Sequence, residues 1–538
     1  MPVDEPTLLP TEKGTTAVWR GVDLYPSPDP VGYARRKARV FSLSPRSLVY
    51  VPSIGLGYGL AELLASLPPG CAVLCVEAHQ PLMALAMAQG LPRDQRLMIV
   101  RTDDEQAAAG ALREMGESRF RRVVEVPLNA GYRLAPAVYA GMRRALEDQL
   151  HEYWRNRLTL IALGSLQVRN LFANVPLLAR GGDLTSLRTS LPVVVAGAGP
   201  SLEEFLPALR AVRSNVILIA VDTALPRLAQ ESLPPDIVVA LEAQLANLQD
   251  FLPRLPEAGT LLACELSSLP AVPRLFDGRV HFFSCAFAPL RLFTRMAGAG
   301  ILPCPFPALG SVGVAALNAA LRLTSKQVFL AGLDFSYPGF LTHTRGAPLH
   351  LAALAGSFRL DAAEGTSFKA IVERRKKIVP DKTGRPVLTD AILASYRDSL
   401  RRIVAYAGGR VYDACASGLD LGAPRVSHRE LKEMVNAAGE GGHTLEAGRA
   451  SVTTVERLRS FIRSELEILD RGEELLRAAL GSSTASPDCL RFLDDADYAL
   501  IHFPDWPRNE APDRGFLARA DVAARYYAER LRRVQSLL

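Results

Sequence analysis

The sequence of 538 residues is 49% hydrophobic, which is enough for more than one buried core. Its formal net charge is only +6 and its lysines and arginines are dispersed, so we do not expect it to bind nucleic acid. No stretch approaches the ~18 apolar residues of a membrane span, and the start lacks the apolar segment of a signal peptide. Its seven cysteines form no Cys-x-x-Cys pair, which indicates reduced thiols. We therefore expect a cytoplasmic protein that does not enter a membrane.

The first part of the chain alternates strand-like and helix-like segments and predicts a small Rossmann-like α/β domain. A strand runs into the glycine motif 55–59, and Glu77 ends the next strand 22 residues after Gly55. This is close to the ~20-residue interval at which an acid binds a ribose hydroxyl. The same motif is common as a packing turn, so a dinucleotide site, or a methyltransferase using S-adenosylmethionine, stays an open alternative.

Apolar residues then recur at helical spacing from Leu134 to about Arg180, which predicts one or two helices that connect two domains. From about residue 428 the sequence again becomes mainly helical, which fits a docking surface for an acceptor protein. We therefore divide the chain into an N-terminal α/β domain (1–133), a helical linker (134–182), a central α/β domain (183–427) and a C-terminal helical domain (428–538).

Glycine and polar residues follow three successive strand-like runs of the central domain. Residues 197–202 (Gly-Ala-Gly-Pro-Ser-Leu) follow the first run, Asp222-Thr223 the second and Glu242 the third. Open α/β sheets bind ligands at the carboxyl ends of their strands, and glycines allow backbone amides to approach an anion. The sequence therefore predicts a nucleotide site at this edge of the sheet.

Residues 197–204 also permit other interpretations. Ser201 and Glu204 have the spacing of a capping box, and Glu203 and Glu204 would compete with a phosphate for the amino end of the helix. Alternatively, the helix begins near Pro207 and the preceding residues form a loop around the ligand.

Two later segments add polar residues to the same domain. Gly310-Ser311 begins an Ala/Leu-rich helix, with Ser311 either as its N-cap or as a ligand contact. The strand-like run 327–332 leads into Asp334 and Tyr337 and then into the polar loop 342–346, which contains His343. A surface or capping role is the alternative for this histidine.

A long insertion at 346–390 contains the basic run 374–377. Such runs usually form a solvated surface. A basic lid that covers an anionic donor and excludes water is the alternative.

The motifs 197–202, Asp-Thr-Ala at 222–224 and Pro-Pro-Asp-Ile-Val-Val at 234–239 occur in this order. They resemble the central domain of the motility-associated factor (Maf) flagellin glycosyltransferases and of the hydroxymethylpterin diphosphokinase-like (MptE-like) proteins. The Gly-Pro-Ser-Leu element is also similar to that of bacterial sialyltransferases that use CMP-sugars. A second Maf motif is matched by Gly332, Asp334, Tyr337, Thr342 and His343. The closing Maf turn is matched only in part, with Asp413, Cys415 and Ser417 in place of Asn, Thr and Gly.

This resemblance implies a Rossmann-like, sialyltransferase-like central domain that transfers a nonulosonic (sialic-acid-like) sugar from a CMP-linked donor to Ser/Thr hydroxyls of flagellin. His343 is the expected base, since imidazole titrates near the working pH, with Asp334 as its competitor and Tyr337 as a donor to the departing phosphate. Thr342 and Arg345 are assigned to the donor or acceptor sugar. The expected nucleotide contacts are Gly197, Gly199, Pro200, Ser201, Leu202, Asp222, Thr223, Glu242, Gly310 and Ser311.

Because a CMP-sugar releases a single phosphate, no metal or other cofactor is expected. If Mg²⁺ is used, Asp222, Glu242 and Asp334 are the available oxygen ligands. Two other functions stay open, an ATP- and Mg²⁺-dependent diphosphokinase acting on a pterin and a non-catalytic flagellar assembly factor.

Overall fold

The computed structural model describes residues 5–252, 257–307, 309–360, 362–373, 375–438, 444–448, 451–482, 485–506 and 511–538. The chain divides into two compact units, Met1–Ala162 with Asp505–Ala511 and Leu163–Pro504 with Pro512–Leu538. The boundary lies inside one 39-residue helix, Pro136–Asn174, so most of the expected linker is a single helix. The expected boundaries at 182/183 and 427/428 both lie within the second unit and stay predictions.

The first unit contains a small antiparallel sheet ordered β1-β2-β3 and a parallel sheet ordered β6-β5-β4-β7. The two middle strands of the parallel sheet are buried along their whole length, as expected for strands covered on both faces. This confirms the Rossmann-like α/β class. In chain order the elements are β1 (Thr7–Thr11), β2 (Gly14–Trp19), β3 (Val22–Asp23), α1 (Pro30–Val40), β4 (Ser47–Pro52), α2 (Leu60–Ala65), β5 (Ala72–Glu77), α3 (Gln80–Gln89), β6 (Leu97–Arg101), α4 (Glu105–Met115), β7 (Arg122–Glu125) and the shared α5 (Pro136–Asn174).

The second unit is built on a larger sheet. Its elements up to the last central strand are β8 (Gly182–Asp183), β9 (Leu187–Arg188), β10 (Val193–Ala196), α6 (Leu202–Val212), β11 (Ile217–Val221), α7 (Leu225–Gln230), β12 (Ile237–Ala240), β13 (Leu261–Glu265), α8 (Ala271–Arg274), β14 (Val280–Cys285), α9 (Arg291–Gly298), β15 (Pro305–Phe306), α10 (Val312–Leu323) and β16 (Val328–Ala331). The remaining elements are α11 (Pro348–Gly356), α12 (Ala363–Val372), β17 (Lys376–Pro380), β18 (Pro386–Asp390), α13 (Ala391–Tyr406), β19 (Val411–Asp413), α14 (His428–Ala437), β20 (Glu446–Ala447), α15 (Val455–Ser482), α16 (Pro487–Asp495), α17 (Asp497–Leu500) and α18 (Arg514–Leu537).

The strand order of this sheet is β15-β14-β13-β12-β11-β10-β16-β19, and β8 pairs with β14. All these pairings are parallel. After β10 the chain proceeds to β11 on one side, whereas after β16 it proceeds to β19 on the other side. The crevice between the ends of β10 and β16 is therefore the topological switch point, where open α/β sheets bind their ligands.

Helices α6 and α10 cover part of this sheet. α6 begins at Leu202 and continues through Pro207, so the alternative start near Pro207 is wrong. The Ala/Leu-rich α10 packs against β10 and β11 with most of its side chains buried. In the C-terminal part α15 packs along α18, and their buried leucine and aromatic side chains form the contact.

Candidate active site

The loops that follow β10 and β16 interlock at the switch point. The amide of Gly197 donates to the Ala331 carbonyl and that of Gly199 to the Gly332 carbonyl, both at 2.8 Å. A side chain at Gly197 would collide with the Gly332 carbonyl, and one at Gly199 with the carboxylate of Asp334. These glycines are therefore required for the close packing of the two loops.

The buried side chain of Asp334 connects the two loops by hydrogen bonds. Its carboxylate accepts from the Ser201 amide at 2.9 Å and also from the Ser201 hydroxyl. The side chain is only 2% exposed, and this burial raises its pKa to about 6. An exposed carboxylate would be a weak base at neutral pH, whereas this burial brings the pKa of Asp334 closer to neutrality.

These contacts correct the predicted phosphate cradle at 197–202. The amides of Gly197, Gly199 and Ser201 already donate within the protein, the Leu202 amide donates to the Gly199 carbonyl at 3.0 Å, and Pro200 has no N–H. The capping-box interpretation is also wrong, since the Ser201 hydroxyl makes no cap hydrogen bond. The physical reason is that the protein's own carboxylate occupies the amino end of α6.

The amino end of α10 lies beside the same loops but, unlike that of α6, has no carboxylate from the described part of the chain bound to it. Leu333 separates Gly197 from Gly313, because a side chain added at either glycine would contact the same Leu333 methyl group. Ser311 occupies the N-cap position with extended backbone but makes no cap hydrogen bond, and its hydroxyl has no partner among the described residues. Gly310 packs closely against the ring of Tyr396. Within the described ranges, the first-turn amides of α10 have no hydrogen-bond partner, so the helix presents them and its positive dipole end at the switch point.

The loop that carries His343 is held over the β10 loop by Glu203. The Thr344 amide donates to the Ala198 carbonyl at 2.8 Å, and the Arg345 amide donates to Glu203 Oε1 at 2.8 Å. The exposed Arg345 guanidinium also lies 3.6 Å from Glu203 Oε2. Glu203, which the sequence argument treated as a competitor of phosphate, instead positions this loop.

The His343 side chain is partly exposed, but its Nδ1 atom is buried and has no hydrogen-bond partner among the described residues. Burial lowers the pKa of His343 below its usual 6.5, so the ring is neutral at pH 7. Thr342 lies beside it and is also partly exposed. The structure thus places His343 and Thr342 at the rim of the crevice, and their chemical roles stay predictions.

Tyr337 does not fit its predicted role as a phosphate donor. Its hydroxyl donates to Asp390 Oδ2 at 2.7 Å, and Asp390 also caps α13 by accepting from the Ile392 and Leu393 amides. Lys376 lies 3.4 Å from the same Asp390 oxygen and 4.8 Å above the Tyr337 ring. Tyr337 therefore anchors the β17–β18 hairpin to the β16 loop.

The predicted basic lid is only partly described. Arg374 lies outside the described residues, whereas Arg375 and Lys377 are exposed. Lys376 is fixed by its ion pair with Asp390. A lid function stays a prediction for the two exposed residues.

The buried ion pair between Lys382 and Asp413 was not predicted from the sequence. Lys382, at the tip of the hairpin, lies 2.5 Å from Asp413, and the two side chains are only 2% and 1% exposed. The positive charge of Lys382 also lowers the pKa of Asp334, against the larger effect of burial. Asp413 is one of the departures from the Maf turn, and its charge is what pairs with Lys382. A lysine between polar turn residues gives no sequence signal of burial.

Polar side chains also meet at the ends of β11 and β12. The side-chain amide of Asn247 donates to Asp222 at 2.9 Å and to Asp250 at 2.7 Å. The backbone amide of Thr223 donates to Asp222 at 2.9 Å. Asp222 is 1% exposed, so it is less accessible to ribose than expected. Asp250, which the sequence argument missed, is half-buried, and burial with the neighbouring Asp222 raises its pKa to about 7. Glu242 has an exposed side chain at the same edge of the sheet.

Glu77, the acid expected to bind a ribose hydroxyl, is not free for this role, and ligand binding by residues 55–77 stays a prediction. Glu77 is fully buried and accepts from the Ser53 hydroxyl, the Ile54 and His79 amides and the Tyr139 hydroxyl, all at 2.8–2.9 Å. A side chain at Gly55 would collide with Tyr25 and Asn129. The Glu77 carboxylate is therefore engaged by the protein's own donors.

Other expectations concern metals, cysteines and membranes. Among the described residues, no group of three or more His, Cys, Asp or Glu side chains is arranged to hold a metal ion. The expectation that no metal is required stays a prediction. The seven cysteines are all free and buried. In the part of the chain that the structure describes, the helices are too short or too polar to cross a membrane.

Comparison with known proteins finds relatives for the whole chain. Residues 169–339 match the family model of 6-hydroxymethylpterin diphosphokinase MptE-like proteins. An uncharacterized protein of Treponema pallidum (strain Nichols) is 29% identical over 569 aligned positions that cover 99% of this chain and 96% of the relative. A second uncharacterized protein of that organism is 32% identical over 147 residues, 26% of this chain and 37% of the relative.

The structure of the MAf glycosyltransferase from Magnetospirillum magneticum AMB-1 matches with a TM-score of 0.58 and 17% identity, and the match covers 99% of this chain and 89% of that chain. The resemblance predicted from the sequence is therefore confirmed for the fold. The MptE-like region includes the switch-point loops from β10 to Tyr337.

Proposed function

We propose that this protein is a glycosyltransferase that transfers a nonulosonic sugar from a CMP-linked donor to Ser/Thr hydroxyls of flagellin. One observation carries the proposal. A neutral imidazole with an unpaired nitrogen and an uncapped helix amino end both adjoin the 197–199 loop at the switch point. The first can accept a proton and the second can stabilise an anion, as transfer from a sugar phosphate requires. The match to a glycosyltransferase fold along the whole chain supports this assignment.

We assign the donor phosphate to the amino end of α10 and not to the amides of 197–202. When the glycosidic bond breaks, the bonding electrons leave with the CMP phosphate, and the α10 amides with the Ser311 hydroxyl can donate to the developing charge. The side-chain oxygen atoms that remain accessible to the ribose hydroxyls are those of Glu242, Asp250 and Thr223. Thr223 follows β11, two strands from β16, and Glu242 follows β12, three strands from it, and this distance along the sheet edge suits the ribose and base.

His343 is the proposed base. The acceptor oxygen attacks the anomeric carbon and loses its proton to the imidazole, which must be neutral at that moment. Because burial lowers the pKa of His343, the neutral form persists at mildly acidic pH. Transfer is expected to decline only as the pH falls below 6.5 through this lowered pKa.

A polypeptide acceptor is supported by the apolar surface of the insertion that follows the His343 loop. Large exposed apolar side chains are concentrated there, and such patches mark interaction sites. Their exposed fractions are Leu349 36%, Leu354 49%, Phe358 63%, Leu360 80%, Phe368 56%, Val372 54% and Ile378 73%, and Phe340, just before the His343 loop, is 62% exposed. We propose that the acceptor segment of flagellin lies across α11 and α12.

A pterin diphosphokinase is the second candidate, because the MptE-like model matches residues 169–339. That model covers the central sheet alone, whereas the glycosyltransferase match extends through both units. Turnover that requires ATP and Mg²⁺ would favour this second function.

The deciding experiment incubates the purified chain with a CMP-linked nonulosonic acid and unmodified flagellin, and measures the flagellin mass. The wild type is expected to add the sugar, and His343→Ala to lose transfer by roughly 100-fold or more. His151→Ala, which removes an exposed histidine of α5, is the matched control and should retain most activity. Full transfer by His343→Ala would remove the base assignment, and no transfer by the wild type would contradict the proposed function.

A second assay tests the acceptor surface. Phe368→Ser is expected to raise KM for flagellin without changing kcat, because the binding area is lost while the base is untouched. Val522→Ser on α18 removes an equally exposed apolar side chain, 62% against 56%, and serves as the control. An unchanged KM in Phe368→Ser would place the acceptor elsewhere.

A further inference from the structure

A half-open pocket of about 470 Å³ lies at the amino edge of the central sheet, at the other ends of the strands that carry the candidate active site. Its residues come from β9, from the end of α10 and from the segments that precede β10, β16 and β19. They are Arg188, Thr189, Leu321, Arg322, Leu323, Thr324, Ser325 and Arg410. The lining therefore contains three arginines and no carboxylate.

The guanidinium groups keep most of their donors unused. Each guanidinium has five N–H groups. Arg410 donates to two carbonyls at the end of α10, Arg322 to the Pro305 carbonyl at 3.2 Å, and Arg188 to the Leu187 carbonyl at 2.7 Å. Within the described ranges, none of the three forms an ion pair with a carboxylate, including Glu446, which lies opposite Arg188 in the β9–β20 register.

The negative end of the α10 dipole does not cancel this charge. A helix carboxyl end carries about half an elementary negative charge, and Arg410 already satisfies its carbonyls. Arg188 and Arg322 then remain as two further positive charges at the mouth of the pocket. The exposed Ser325 hydroxyl is an additional donor without a partner among the described residues.

We propose that this pocket binds a small phosphate-bearing anion. Planar guanidinium groups form paired, charge-assisted hydrogen bonds with phosphate oxygens, and two arginines with a hydroxyl can surround one phosphate group. The pocket holds a diphosphate-sized ligand, and it is separate from the candidate active site. A bound anion would bridge β9 and the end of α10 and thereby stabilise the second unit.

Titration of pyrophosphate into the full chain, followed by calorimetry and thermal shift, tests the proposal. We expect saturable binding that weakens with added salt. Arg188→Gln and Arg322→Gln should each weaken it about tenfold, which is the loss expected for one charge-assisted contact. Arg410 is left unchanged because it caps α10.

Two controls make the result specific. Arg429→Gln removes the same charge from a side chain of the second unit that is 87% exposed, and it should bind pyrophosphate like the wild type. Saturating CMP, which occupies the position proposed for the donor phosphate, should leave pyrophosphate binding at this pocket unchanged. The proposal is overturned if the wild type shows no saturable binding at millimolar pyrophosphate, if the Arg188→Gln/Arg322→Gln double variant binds as tightly, or if Arg429→Gln loses as much affinity as either pocket variant.

Discussion

The buried ion pair between Lys382 and Asp413 gives the sharpest test of how the site is held together. We expect Lys382→Met to destabilise the second unit by about 3–5 kcal/mol, the usual cost of removing one partner of a buried pair. Solvent screening does not reduce this value, because the two side chains are only 2% and 1% exposed. The loss arises because removal of the lysine leaves the Asp413 carboxylate buried without a counter-charge.

A double-mutant cycle separates the ion pair from the loss of lysine packing. Adding Asp413→Asn to Lys382→Met removes the unpaired charge, so the double variant should recover most of the lost stability, with a coupling of about 2–4 kcal/mol.

Chemical unfolding followed by far-UV circular dichroism is the assay. Trp19, Trp154 and Trp506 all belong to the first unit, so their fluorescence monitors that unit separately. Arg429→Met, which breaks an ion pair with exposed fractions of 87% and 62%, is the matched control and should have no measurable effect. A loss below about 1 kcal/mol in Lys382→Met, or no recovery in the double variant, would refute the reasoning.

Three further predictions concern the same edge of the sheet. Gly199→Ala should lose about 2 kcal/mol or more of stability, because the new methyl group meets Asp334 and the Gly332 carbonyl, and thermal denaturation measures the loss. Glu203→Gln should lower kcat several-fold at constant donor KM, because the amide holds the His343 loop less firmly than the carboxylate does, and steady-state kinetics of transfer test this. Asp250→Asn should become more stable relative to the wild type between pH 4 and 7, by on the order of 1 kcal/mol after allowance for partial exposure, because a carboxyl pKa raised to about 7 costs stability once the group ionises; unfolding at several pH values measures the difference.

The central strands could be predicted from the sequence because their signal is local. Val193–Ala196, Ile217–Val221 and Val328–Ala331 are continuous apolar runs followed by glycine or aspartate, and each is a buried parallel strand. The position of His343 near the β10 loop was also predictable from its place after a strand. Sheet order brings these loop residues together, and a parallel sheet offers few alternatives.

The residues that escaped prediction act through partners distant in sequence. Ser201 and Glu204 have the spacing of a capping box, but Asp334, 133 residues further on, takes the Ser201 hydroxyl. Lys382 lies in a turn whose sequence indicates exposure, and only Asp413 explains its burial. At Glu77 the sequence correctly placed an acid at the end of a strand. It could not show that Tyr139 and other groups of the protein donate to the carboxylate. Local patterns therefore identify the elements, while tertiary hydrogen bonds decide which polar groups stay free.

The amino ends of α6 and α10 both lie at the switch point, but, as far as the structure describes the chain, only at α6 does a carboxylate of the protein already occupy the helix end. At α6 the ionised Asp334 carboxylate, supported by Lys382, neutralises the dipole, and a phosphate placed there would meet a like charge. At α10 the N-cap hydroxyl of Ser311 has no partner within the described ranges. On the proposed function, an anionic donor would therefore be repelled from the glycine motif 197–202 and attracted to the amino end of α10. Ser311→Asp, which would supply α10 with its own carboxylate, should accordingly weaken CMP binding, whereas the neutral Ser311→Asn should weaken it much less.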